Sequence, residues 1–234
     1  MNWVNKYILN FVLLVYIIII MCWNKDISLN TFLFSSFVLL LIMYNNKYTQ
    51  YKIKELDSVW VYLFIFSFIL MQLIEYFIWR NINDPIYNNI FSIMATLLLF
   101  VQPIASTMLI PSKTVSSKII TLYLILVGPL TIYRLFTKKI STTISPLNHL
   151  SWDLALYKNN ILESLLCVGW IMFFLFPLFY IGELFAFLFG ILTLMIIVYN
   201  YYKDGSFGSM WCWIVNSVML YYAGYLLLWL PFFK

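Results

Sequence analysis

An amide and a carboxylate lie close together near the end of a long apolar stretch, which makes them the first candidates for chemistry in this chain. Residues 59–70 carry no charge, and then Gln72 and Glu75 follow three positions apart, with Trp79 four positions beyond. These three residues fall on one face of a helix. Because an acid inside a membrane is costly and most often functional, we expect Glu75 to act as a charge or proton acceptor, with Gln72 or Arg134 as its partner.

Further polar residues are expected at the same depth of the membrane. We call the two faces of the membrane side A, which carries both termini, and side B. At about 1.5 Å per helical residue, Gln72 lies about 10 Å and Glu75 about 6 Å inside side B. Asn216 is expected about as deep as Gln72, Glu163 lies just inside side B, and Arg134 ends its helix there.

These positions predict a polar cup that is lined by aromatic residues and opens toward side B. The third, fifth, sixth and eighth predicted helices bound this cup, and Glu75 lies at its floor. The candidate ligand-binding residues are Gln72, Glu75, Trp79, Arg134, Glu163, Trp213 and Asn216. No residue is predicted to be catalytic or to bind a metal.

Structural roles are the alternative for several of these residues. Glu163 lies in the first turn of its helix and Arg134 in the last, where the helix dipole favours an acid and a base, respectively. Asn216 and Gln102 are residue types that often join transmembrane helices by hydrogen bonds. Glu75 differs, because it lies near the negative end of its helix, where the dipole disfavours an acid. For Glu75, a function and a structural ion pair are equally open.

The composition predicts the fold class. Of the 234 residues, 64% are hydrophobic and 10% are charged, and the mean hydropathy is +0.91. Soluble domains contain about 25% charged residues, so a water-soluble fold is excluded. The apolar runs are continuous rather than alternating, which favours helices over a barrel. We therefore predict an all-α, polytopic transmembrane bundle that forms a single domain over residues 1–234.

About eight spans are expected, each near the length of about 20 residues that crosses a bilayer. The predicted helices cover residues 7–23, 28–44, 58–79, 89–110, 117–136, 161–180, 183–201 and 209–230. The second is somewhat short, and seven spans remain if it fails to cross. Pro103 predicts a kink in the fourth helix, and Gly128-Pro129 a break in the fifth. Ser151, followed by Trp152 and Asp153, predicts a short helix on the membrane surface.

The orientation of the bundle is not decided by charge. Eight spans place both termini on side A, and the 14 Lys and Arg residues divide equally between the two sides. The positive-inside rule therefore gives no orientation, and only the α-amine and Lys6 favour slightly a cytoplasmic side A. These scattered charges lie in short connections, which is no argument for nucleic acid binding.

Several classes of membrane enzyme and receptor are excluded. His149 is the only histidine, whereas zinc hydrolases, bis-histidine haem proteins and His-box desaturases need several. Every lysine lies at the end of a predicted helix or in a loop, so a retinal Schiff base, which needs a lysine inside a helix, is excluded. The three cysteines form no CxxC pair, and no catalytic or phosphate-binding motif is present. We predict no cofactor.

Two functional classes remain. In the first, the protein binds or transports a small molecule, an ion or a lipid headgroup in the cup. In the second, it is a structural or assembly protein of an organelle or viral membrane, in which the polar residues only hold helices together. A lipid-modifying enzyme is a distant third, because no pair of nucleophile and base is visible. In all three, the lipid bilayer is the certain partner, and the oligomeric state is not predicted.

Overall fold

The structure is a computed structural model that describes residues 24–137, 139–152 and 161–233. Helices dominate it, with one short hairpin of strands. The helices are α1 (Lys25–Tyr48), α2 (Val59–Arg80), α3 (Pro85–Thr107), α4 (Lys113–Leu126), α5 (Gly128–Thr137), α6 (Ile161–Tyr180), α7 (Leu184–Tyr201), α8 (Phe207–Asn216), α9 (Val218–Gly224) and α10 (Leu230–Phe233). A π-helical turn, Tyr225–Trp229, joins α9 to α10, and strands β1 (Thr142–Ile144) and β2 (Leu150–Trp152) lie between α5 and α6.

The predicted helical bundle is confirmed. In the described part of the chain, six helical stretches are long and apolar enough to cross a membrane, which is compatible with a multi-pass membrane protein. The stretches Lys113–Thr137 and Phe207–Phe232 each combine consecutive helices. Helix α6 is 20 residues long. The first predicted helix, residues 7–23, lies outside the described residues.

Side-chain caps explain why two helices begin earlier than hydropathy predicts. The Asn24 side chain accepts hydrogen bonds from the backbone N–H groups of Asp26, at 2.9 Å, and Ile27, at 3.1 Å. This cap fixes the start of α1 at Lys25, and the helix runs for 24 residues to Tyr48, which is ample for a span. Asp84 caps α3 in the same way, and Pro85 occupies the first helical position, where its missing N–H costs nothing.

The predicted break at Gly128-Pro129 is confirmed, because α4 ends at Leu126 and α5 begins at Gly128. Hydrogen bonds from Val127 N to Tyr123 O, at 2.8 Å, and from Thr131 N to Val127 O, at 3.0 Å, bridge the break. Pro103 lies inside α3, and the kink expected there stays a prediction. The last predicted helix is interrupted at Ser217, whose N–H bonds to Ile214 O instead of continuing the α-helical pattern.

A surface helix was predicted from Ser151 onward, but its first two residues form a strand instead. Ser151 and Trp152 lie in β2, which pairs antiparallel with β1 so that Thr142 is opposite Trp152. The turn between the strands contains Asn148 at φ 60°, a left-handed conformation that Asn tolerates well. Residues 153–160 lie outside the described part of the chain. The hairpin covers the side B end of the bundle, where Ser151 Oγ donates to Gly205 O at 3.1 Å.

An aromatic cluster fills the bundle between α2, α6 and α8. The ring of Phe174 is stacked on Trp170 with a centroid distance of 4.9 Å. Phe174 also makes edge-to-face contacts with Phe68, at 5.6 Å, and with Trp211, at 5.5 Å. These offset and perpendicular arrangements are the favoured ones for aromatic pairs. The cluster holds the three helices together at mid-depth.

Candidate functional site

The two polar residues at the end of α2 form a buried pair. Gln72 has no exposed surface and Glu75 is 2% exposed. Gln72 Nε2 donates to Glu75 Oε2 at 3.0 Å. Of the two partners expected for Glu75, Gln72 and Arg134, the structure therefore shows Gln72. Ser209 on α8 is the other described side chain that interacts with this carboxyl group, although no hydrogen bond of standard geometry reaches Oε1.

Asn216 joins α8 to the same face of α2. Its Nδ2 donates to Phe68 O at 3.2 Å and to Cys212 O at 2.9 Å. Phe68 is four residues before Gln72, so Asn216 contacts α2 one turn closer to side A than the Gln72–Glu75 pair. Gln102 on α3 makes a comparable bond to Ser67 O at 3.2 Å. The structure thus brings Gln72, Glu75 and Asn216 into one buried region of the bundle.

Three other predicted site residues have described side chains, and none of them is among the side chains that act on Glu75. Trp79 is half-buried on α2, and Trp213 Nε1 donates to Thr31 Oγ1 on α1 at 3.1 Å. Arg134 is buried on α5 and is not among the described side chains that act on Glu75. Glu163 belongs to α6, but its side chain lies outside the described residues.

A large cavity opens at the end of the bundle that was predicted to be side A rather than at the end predicted to be side B. It has a volume of about 1100 Å³ and is lined by α2, α4, α6, α7, α8 and α9 and by residues 108–111, which follow α3. Its deep end is formed by Phe68, Phe174 and Trp211 of the aromatic cluster, together with Asn216. Gln72 and Glu75 are not among its described wall residues. The volume is at the upper end of the range of about 300–1,000 Å³ that is typical of ligand sites.

Charged residues surround the mouth of this cavity. Glu55 lies in the short turn Lys54–Leu56, Lys113 is the first residue of α4, and Glu183 directly precedes α7. All three side chains are exposed. Both acids act electrostatically on Tyr222 of α9, which also lines the cavity. Gly182, at φ 83°, makes the tight turn that places Glu183 there.

The mouth residues were not predicted as site residues. They come from three separate connections, and each looks in the sequence like an ordinary charged residue at a helix end. One pattern in the sequence could have pointed to them. Acidic and basic residues both occur at side A, and aromatic residues follow one to three turns deeper in α2 and α6. Their convergence requires the packing of the helices, which a single sequence does not contain.

One buried oxygen at the deep end of the cavity has no partner. Asn216 Oδ1 accepts no hydrogen bond in the described chain, although the Asn216 amide nitrogen makes two. A buried polar atom without a partner costs about 1–3 kcal/mol, so it favours the approach of a donor. No group of three or more His, Cys, Asp or Glu residues suited to a metal occurs among the described residues.

Comparisons with protein-family models, with curated proteins and with solved structures found no match to this chain. No relative therefore contributes to the assignment of its function. Its function is inferred from the geometry of the cavity and of the buried polar residues.

Proposed function

We propose that this chain is a multi-pass membrane protein that binds an amphipathic molecule of the lipid class in the cavity on side A. The observation that carries the proposal is the shape and chemistry of the cavity. It connects an aromatic interior to a mouth that contains both signs of charge. An apolar tail in the interior and a polar headgroup at the mouth would match these two regions.

The walls of the interior suit an apolar tail. The edges and faces of Phe68, Phe174 and Trp211 form a surface that gains from contact with hydrocarbon rather than with water. Phe189 and Ala186 on α7 continue this surface toward the mouth. Each buried CH₂ group contributes about 0.8 kcal/mol, so a tail of several carbons supplies the main part of the binding free energy.

The charges at the mouth suit a zwitterionic headgroup. Lys113 offers a donor for a phosphate oxygen, while Glu55 and Glu183 together favour a cationic nitrogen. Trp60 lies on the same rim, where an indole ring attracts an ammonium group through its face. A purely anionic headgroup would meet two like charges there, and a neutral one would leave all three charges without a partner.

The buried polar residues extend the proposal beyond the cavity. Asn216 belongs both to the cavity wall and, through Phe68, to the face of α2 that carries Gln72 and Glu75. Asn216 thus lies between the cavity wall and the face of α2 that carries the Glu75 carboxyl group. Gln72, Glu75 and Asn216 remain the candidate ligand-binding residues, and of these Asn216 lines the cavity. Trp79, Trp213 and Arg134 are not among the described residues of its wall.

The experiment that tests the proposal measures the lipid carried by the purified protein. We expect native mass spectrometry to detect one bound amphiphile per chain. Ala186→Trp narrows the interior and should remove the amphiphile, whereas Leu188→Trp, on the same helix but 53% exposed, should retain it. Ser117→Trp at the mouth gives a second test if Ala186→Trp does not fold. Equal occupancy in all folded variants would contradict the proposal.

A structural role is the second candidate, and the interhelical hydrogen bonds favour it. Asn216 and Gln102 each donate to a carbonyl oxygen of α2, which joins three helices. Such bonds contribute about 1 kcal/mol or less each in a membrane. If no amphiphile co-purifies with the wild-type protein and none raises its melting temperature, the structural role is favoured over lipid binding.

A further inference from the structure

A second, smaller cavity lies near side B and is separate from the lipid cavity, although Trp211 borders both. Its volume is about 80 Å³. Helices α3, α4, α5, α6, α7 and α8 and the end of strand β2 enclose it. Most of its walls are apolar, but Arg134 and Trp152 contribute nitrogen atoms to it.

Arg134 brings a permanent positive charge into this cavity. Its side chain is only 6% exposed, and an Arg guanidinium does not lose its proton in proteins. Its Nε has no hydrogen-bond partner. None of the described residues that line the cavity is acidic. A buried charge costs several kcal/mol unless an opposite charge accompanies it, so the buried side chain of Arg134 favours an anion beside it.

Trp152 supplies a second N–H group without a partner. The residue is 5% exposed, and its Nε1 makes no hydrogen bond. The other polar groups of the wall are already engaged, because Thr96 and Thr131 donate to carbonyl oxygens of their own helices, at 2.9 Å and 3.0 Å. Trp170 Nε1 donates to Leu99 O. The unpartnered nitrogen atoms of the cavity are therefore both donors, which selects for an acceptor.

We propose that this cavity holds a small monovalent anion, of the size of a halide, between Arg134 and Trp152. The volume decides the size of the ligand. A buried water needs about 10–15 Å³ of open space, so 80 Å³ accommodates a small anion with a few waters and is far too small for a lipid headgroup with its tail. The anion neutralises Arg134 and accepts from Trp152 Nε1. It thereby ties the β-hairpin to α5.

Glu163 is the internal competitor for this role. It precedes Cys167 by one helical turn on α6, and Cys167 both lines the cavity and lies within electrostatic reach of Arg134. A carboxylate of the chain and a free anion would exclude each other beside the same guanidinium. The two sources of negative charge are distinguished by experiment, because only the free anion makes stability depend on salt identity.

The test is the melting temperature of the full-length protein in detergent, with bromide replacing the larger gluconate at constant ionic strength. We expect a saturable rise with bromide in the wild-type protein, as binding to the folded state alone requires. Arg134→Gln should abolish this rise. Lys139→Gln, which removes an exposed charge beside the same hairpin, should leave it unchanged.

Trp152→Phe keeps the proposal testable if Arg134→Gln does not fold. Loss of one hydrogen bond to a charged ligand should weaken bromide binding about tenfold. A wild-type melting temperature that is the same in bromide and gluconate would overturn the proposal. So would a bromide effect that appears only in Glu163→Gln, because Glu163 would then be the native counter-ion.

Discussion

The Gln72 amide nitrogen donates to the Glu75 carboxyl group across 3.0 Å, within one helix and without contact to solvent. This bond satisfies Oε2 of the acid, while Oε1 has no hydrogen-bond partner. The pair lies next to the α2–α8 contact that Asn216 forms at Phe68. A buried acid with one unused oxygen thus lies about two helical turns along α2 from Phe68, which lines the lipid cavity.

The first prediction concerns Glu75→Gln. The new amide has nearly the same volume, and its oxygen can still accept from Gln72 Nε2, so we expect the melting temperature in detergent to stay within a few degrees of the wild type. If the buried polar residues take part in binding, the amount of co-purified amphiphile falls. A large loss of thermal stability, with no ligand that restores it, would favour the scaffold function instead.

The second prediction concerns Asn88, which pairs with the backbone of β1 as a neighbouring strand would. Asn88 Nδ2 donates to Thr142 O and Asn88 Oδ1 accepts from Thr142 N, both at 2.9 Å. Asn88→Ala leaves two buried backbone groups without partners, so the free energy of unfolding should fall by about 1–3 kcal/mol. Hydrogen exchange at the Thr142 amide should accelerate. Asn83→Ala changes an exposed residue in the turn before α3 and should have neither effect.

The third prediction concerns pH. Burial lowers the pKa of His149, and the negative charge of Asp204 opposes this shift. The unfolded chain, with a His pKa of about 6.5, then binds a proton more tightly than the folded chain. The stability is fully present above about pH 6.5 and is lost as the pH falls from there toward the lowered pKa.

Melting curves between about pH 7.5 and 5 measure this effect. His149→Gln removes the only histidine, so its melting temperature should change less with pH than that of the wild type. An equal slope in the two proteins would show that other groups cause the dependence. The side chain also makes an edge-to-face contact with Tyr201 at 5.3 Å, so the variant is expected to be somewhat less stable at every pH.

The fourth prediction concerns the mouth of the lipid cavity. In the double variant Glu55→Gln and Glu183→Gln, the attraction for a cationic headgroup nitrogen is lost while Lys113 remains. We expect the protein to exchange a zwitterionic amphiphile for an anionic one when both are offered in mixed micelles. Lys52→Gln, an exposed change on side A that is outside the cavity wall, is the matched control. An unchanged preference would show that the acids do not contact the headgroup.

The helices were predictable from the sequence because each is a long, continuous apolar run. Their exact starts at Lys25 and Pro85 depend on the caps Asn24 and Asp84, which hydropathy does not register. The Gln72–Glu75 bond was also predictable, since residues three apart on a helix are neighbours. The break at Gly128 followed from the missing N–H of Pro129 and the flexibility of glycine.

The hairpin and the lipid cavity could not be predicted from local patterns. The hairpin depends on Asn88, which is 54 positions from Thr142 in the sequence. In the same way, the cavity on side A lies between residues of α2, α4, α6, α7 and α8 that are far apart in the sequence, and the space between packed helices leaves no mark on any one helix. The cup was expected to open toward side B, because the depth of each polar residue can be estimated from its position in a helix. The space between the helices cannot be estimated in this way.

The central claim is that the cavity on side A holds an amphipathic molecule, and a density map of the purified protein in lipid nanodiscs tests it most directly. We predict elongated density along Phe68, Phe174 and Trp211 that ends in a compact feature between Lys113 and Glu183. Density for a segment of the chain itself in this space, or a cavity that contains only solvent, would contradict the account.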